Sequence, residues 1–104
     1  MTTLKSERAF KPVIEIIQCN PHQPAWTARV VQMTLPNRRP LTVTIYPDTE
    51  GEDNGILING YLVNWSALGS VDVKSAELYS ALIRRAAKEA RRLNKKYAGK
   101  LMPY

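Results

Sequence analysis

The chain has 104 residues, 44% hydrophobic and 23% charged, with a formal net charge of +6. That length suits one domain that buries a core without staples, and the balance is that of a globular chain rather than a disordered one. No apolar run approaches the roughly 20 residues of a spanning helix, residues 1–10 lack the apolar stretch of a secretory signal, and the single cysteine, Cys19, has no partner for an internal disulfide, so a cytoplasmic setting is expected.

Residues 1–12 mix polar and charged side chains without periodicity, and they are expected to lead flexibly into one domain covering 13–104. Val13-Ile14-Glu15-Ile16-Ile17-Gln18-Cys19 is short and β-branched, and Pro21 and Pro24, which cannot donate to a ladder, follow it. It reads as a first strand. A second is expected from about Trp26 to Leu35, where the alternation changes phase. Trp26, Ala28 and Val30 share one face and Val31, Met33 and Leu35 the other; a β-bulge near Val30-Val31 would bring all six to the core. The turn-forming segment 36–40 precedes Leu41-Thr42-Val43-Thr44-Ile45-Tyr46, a third strand of strict period two.

Segment 47–55 is acidic and rich in turn formers, which predicts an exposed loop. Ile56-Leu57-Ile58 and Tyr61-Leu62-Val63-Asn64-Trp65 flank Asn59-Gly60, a pair suited to a two-residue type I′ hairpin turn with positive φ at Gly60. A bulge at these two residues would instead leave one continuous strand. After a connection at 66–70, with Ser70 or Asp72 as N-cap, a helix is expected from about 73 to 97, stopped by Gly99. Leu78, Leu82, Ala86, Ala90, Leu93 and Tyr97 recur at steps of three and four, with Tyr79 and Ile83 widening the stripe early. The expected fold class is α+β: an antiparallel β-meander of four to five strands followed by one long C-terminal α-helix packed on the sheet. A helix of about 36 Å outruns strands of about 17–20 Å, so its second half, from Arg91 on, is expected to overhang.

Between Arg84 and Lys100 eight cations oppose Glu89 alone, a surplus of seven, which leaves the rest of the chain at −1. Cations repeated along a helix face can track phosphates and release counterions. Arg84, Arg85, Lys88, Arg91, Arg92, Lys95 and Lys96 are therefore the candidate backbone contacts, and Arg38 and Arg39 at a hairpin tip would extend them. The same residues also fit an ordinary solvated face whose charges complement the helix dipole.

An outward sheet face of Thr27, Arg29, Gln32, Thr34, Thr42, Thr44 and Tyr46 resembles a single-strand stacking platform, although threonine also simply favours strands. Trp26 and Trp65 lie in phase with apolar neighbours and are expected in the core. His22 and Cys19 are too few for a zinc site, and the loop opening at Asp48 has Asn59 where a calcium loop needs its twelfth-position Glu. No phosphate loop and no nucleophile with a base is recognisable, so neither catalysis, nor a metal, nor a cofactor is expected.

The order of antiparallel strands and one long C-terminal helix, over about residues 13 to 97, resembles the plan of Whirly-type single-strand-binding domains. No residue motif of that family can be laid on this chain, so the resemblance implies an arrangement and assigns no site. The expected function is a non-enzymatic nucleic-acid-binding module, single-stranded DNA or RNA favoured. The alternative is a protein-interaction module, with a homodimer formed through a sheet edge or the overhanging helix.

Overall fold

A computed structural model describes residues 13–36, 39–65 and 70–104; the lead-in, Arg38 and segment 66–69 lie outside the described residues. The chain forms β1 (Val13–Gln18), β2 (Arg29–Thr34), β3 (Leu41–Glu52) and β4 (Gly55–Asn64), then helix α1 (Val73–Tyr97), then β5 (Leu101–Pro103). The five strands make one antiparallel sheet in the order β1-β2-β3-β4-β5. This is the α+β class, with a single long helix packed on one face of the sheet, over β2, β3 and β4.

The acidic segment is not a loop. β3 continues through it to Glu52, and the chain reverses at Asp53-Asn54, because Glu52 pairs with Gly55 across a two-residue turn. Asn59-Gly60 is correspondingly not a turn. Thr49 pairs with Ile58 and Asp48 with Gly60, which leaves Asn59 as the extra residue of a bulge within one continuous strand. The bulge has a packing reason: it turns Ile58 and Tyr61, three residues apart, to the same buried side. Gly60 does not take the positive φ a type I′ turn would need; Gly99 does, at 79°.

At the bulge the helix closes the ladder. Asn94 Oδ1 accepts the Tyr61 N–H at 2.8 Å, and a Cβ on Gly60 would stand 3.4 Å from that same oxygen. Asn94→Ala is expected to cost about 1–3 kcal/mol, the penalty of stripping the partner from a part-buried N–H. The shift in urea midpoint measures it.

β2 holds no bulge, and its alternation runs unbroken. Ala25, Thr27, Arg29, Val31, Met33 and Leu35 all face inward and are buried, whereas Trp26, Ala28 and Val30 are half-buried on the opposite phase. Trp26, Ala28 and Val30 are thus not turned to the core by a bulge, and Thr27 and Arg29 do not face out. Arg29 is only 4% exposed, and backbone carbonyls make this tolerable. Its guanidinium donates to Pro24 O at 2.9 Å and, at 3.4 Å, to Thr27 O.

Tyr61 donates its hydroxyl to Ala25 O in the same region. Burial holds that hydroxyl above its usual pKa of 10.0, with Arg29 pulling the other way and Tyr97 adding to the rise. A pKa raised by folding means that the folded state holds the proton more tightly, so the contribution is whole below pH 10.0 and is lost as pH climbs through the folded value. Tyr61→Phe is expected to flatten the loss of stability above that pH, at a cost of about 1 kcal/mol near neutrality for the missing hydrogen bond. Urea unfolding of both proteins from neutral pH to beyond 10.0 checks this.

α1 begins at the N-cap Asp72, whose side chain accepts from Ser75 N at 3.0 Å. Its second half does not overhang. Leu82, Ala86, Glu89, Ala90 and Leu93 are the buried positions beyond the first turn, and Tyr97 packs partly against the same core, so the packed portion continues past Arg91. The expectation failed on strand length: β4 runs on through Asn59-Gly60 instead of turning there, so the last turns of the helix still have sheet beneath them, with Asn94 bonded to Tyr61. After Gly99, two backbone bonds, Gly99 N to Ile58 O at 2.7 Å and Ile58 N to Lys100 O at 3.0 Å, seat the chain beside β4. β5 then continues along that edge.

Candidate nucleic-acid interface

The candidate cations lie on α1's solvent face. No Gly or Pro interrupts 73–97, the helix runs unbroken from Val73 to Tyr97, and 3.6 residues per turn decides where each cation points. Arg84, Lys88, Arg91 and Lys95 follow one another at steps of four, three and four. They fall within about 60° of each other, on the side opposite the buried Leu82, Ala86 and Leu93. All four are exposed. They form a single outer stripe that rises about 17 Å along the axis.

Arg85, Arg92 and Lys96 form a second line on one flank, also exposed. Its charge is partly offset, because the buried Glu89 interleaves it and accepts an ion pair from Arg92 Nε. Lys96 Nζ rests 5.2 Å from the centre of the Tyr97 ring, and Lys95 and Lys96 lie in the last turn, where they complement the helix dipole.

Of the two hairpin-tip arginines, Arg39 is described and exposed. It sits at the end of the sheet where α1 starts, since Leu41 pairs with Met33 while β4 ends opposite Thr44. It therefore lies at the other end of the helix from Lys95 and Lys96.

The far face of the sheet is not a basic platform. Gln32, Thr34, Thr42, Thr44 and Tyr46 do lie on it, but its expected arginine, Arg29, is buried on the helix side. The charged groups it carries along β3 are Asp48, Glu50 and Glu52, all exposed. Pro47 and these carboxylates lie beyond Ile45, where β3 no longer pairs with β2, and charges there discourage edge-to-edge pairing. The molecule is thus polarised, basic on the outer helix and acidic on the β3–β4 arm.

Two aromatic residues depart from expectation. Trp26 packs against the core only in part. Trp65 is 41% exposed and lies 5.4 Å from Tyr79, ring centre to ring centre, with the planes tilted by 53°. It follows the last residue of β4, so although it keeps phase with Tyr61 and Val63, the ladder has ended. That is the signal the alternation alone does not carry.

Among the described residues, no three of His, Cys, Asp and Glu stand together as a metal ion would require, and no helix is long and apolar enough to cross a membrane. Compared with protein-family models, curated proteins and solved structures, the chain has no match.

Proposed function

We propose that the chain is a non-enzymatic module that binds the phosphate backbone of nucleic acid along the outer face of α1. The observation that carries this is the stripe Arg84, Lys88, Arg91 and Lys95: four exposed cations in line, none of them held by a described carboxylate, on the side of the helix turned from its sheet. Fixed on a rigid helix, they meet a polyanion with little ordering cost, and each contact releases condensed counterions. Arg85 and Lys96 contribute from the flank, and Arg92 does so to the extent that Glu89 leaves its charge free. Single strands are the favoured ligand, because nothing on the helix offers base-edge readout and a flexible backbone conforms to a straight stripe.

Titration with single- and double-stranded DNA and RNA at roughly 50 and 200 mM salt tests this. Binding that is clear at the lower salt and sharply weaker at the higher is expected. No binding to any of the four at the lower salt overturns the proposal.

The alternative is pairing of two copies through β1. Its outer edge shows Val13, Ile14 and Ile17 substantially exposed, with Glu15 as the only charge in the strand, which is the composition of an edge open to strand addition. The overhanging helix no longer supports a dimer, since that half is packed on the sheet. Light scattering across concentration and salt distinguishes the two: an apolar dimer persists in high salt and is lost in Ile17→Lys, whereas backbone binding needs neither.

A further inference from the structure

We infer that the cleft between the end of β4 and the first half of α1 receives one unpaired base of a bound single strand, stacked on Trp65. This rests on the reading of α1 as a backbone-binding helix. The cleft holds about 260 Å³ and is lined by Trp65, Val71, Ala76, Tyr79, Ile83 and Arg84, with Ser80 at its side. That is smaller than the roughly 300–1,000 Å³ of a drug-sized site, and it suits a single planar ring system.

The lining decides the occupant. Trp65 exposes 41% of its surface although it touches Tyr79, and an aromatic ring left bare beside a second ring offers a base a wall with π-character. The remaining described lining is apolar apart from Ser80 and Arg84, with no carboxylate among the described lining residues. Arg84 is also the first cation of the outer stripe. A strand whose base enters the cleft therefore has its phosphate at Arg84 and its continuing backbone directed along Lys88, Arg91 and Lys95. An apolar peptide side chain would use the rings but not the cations, and a duplex would use the cations but keep its bases stacked away from the rings. The one ligand that uses both is a single strand.

The test uses Trp26→Phe, which leaves Trp65 as the only tryptophan of the two in the chain. Titration with an oligothymidylate at roughly 50 mM salt is expected to quench its fluorescence. Trp65→Ala is expected to weaken that binding by roughly tenfold or more, the usual share of one stacked base, while affinity for a duplex of equal length and for heparin stays unchanged. Ala76→Glu is the second variant. It sets a carboxylate in the cleft at the N-terminal end of α1, where the helix dipole favours one, and it should lower single-strand affinity in the same selective way. Equal single-strand affinity in both variants, with duplex and heparin still bound, overturns the base site and leaves the helix reading standing. Failure of all three polyanions to bind overturns both.

Discussion

Reversing the outer stripe with Arg84→Glu, Lys88→Glu, Arg91→Glu and Lys95→Glu together is expected to reduce nucleic-acid affinity by about two to three orders of magnitude or more near 50 mM salt, since each lost phosphate contact removes a counterion-release gain and each new carboxylate repels the backbone. All four side chains are exposed and face away from the buried Leu82, Ala86 and Leu93. Exposed substitutions of this kind change stability little individually. The carboxylates oppose the dipole in the helix's second half, which adds a loss of about 1 kcal/mol or so. Electrophoretic mobility shift or anisotropy reads the affinity, and a thermal melt reads the fold. Reversing Arg92 is a less clean experiment, because it sets a carboxylate beside Glu89, which is buried and holds Arg92 in an ion pair. A variant carrying that change would lose stability as well as charge.

Leu93→Ala is expected to destabilise the domain by about 2–5 kcal/mol, the range for emptying a fully buried leucine site. Leu93 is fully buried, in the same cluster as Met33, Val43, Ile58 and Leu82. Urea denaturation gives the number. The contrast with an overhanging helix is sharp: a Leu93 waiting for a partner would leave the monomer's stability unchanged when truncated. Lys95→Ala, two residues along and exposed, is the control and should shift the midpoint by no more than about 0.5 kcal/mol.

The legible parts of the sequence were those where one period ran without competition. Leu41 to Tyr46 alternates strictly and is strand, and α1 begins at Asp72 and ends before Gly99, where cap chemistry and the apolar stripe agree. Where two local signals competed, long-range pairing decided. Asn59-Gly60 has the composition of a hairpin turn, but it lies opposite Asp48 on a strand already committed to pairing, and Asn94 from a distant helix supplies the acceptor that makes a bulge stable there. Segment 47–55 reads as a loop because it is acidic and rich in turn formers; exposed where β3 no longer pairs with β2, the carboxylates of Asp48, Glu50 and Glu52 are tolerated and protective.

The misread phase of β2 has the same origin. Arg29 between Thr27 and Val31 looks like an outward residue until Pro24 and Thr27 carbonyls, brought round by the preceding loop, accept its guanidinium. Of the candidate site, the cations of 84–96 are on one exposed helix as their spacing requires. Their division into a free outer stripe and a flank interleaved by Glu89 needed the geometry of the ion pair. The exposure of Trp65 depended on where β4 ends.

The most direct measurement of the central claim is the dependence of affinity on salt for the wild-type chain and for Lys88→Ala, Arg91→Ala. If the outer stripe's four cations each neutralise a phosphate, log affinity against log salt should slope by about −2.8 to −3.6, with about −0.7 per contact for a single strand and −0.9 for a duplex. The double variant should be shallower by two contacts, about 1.4 to 1.8. A wild-type slope near zero, or a slope that the two substitutions leave unchanged, would contradict the assignment of backbone binding to α1.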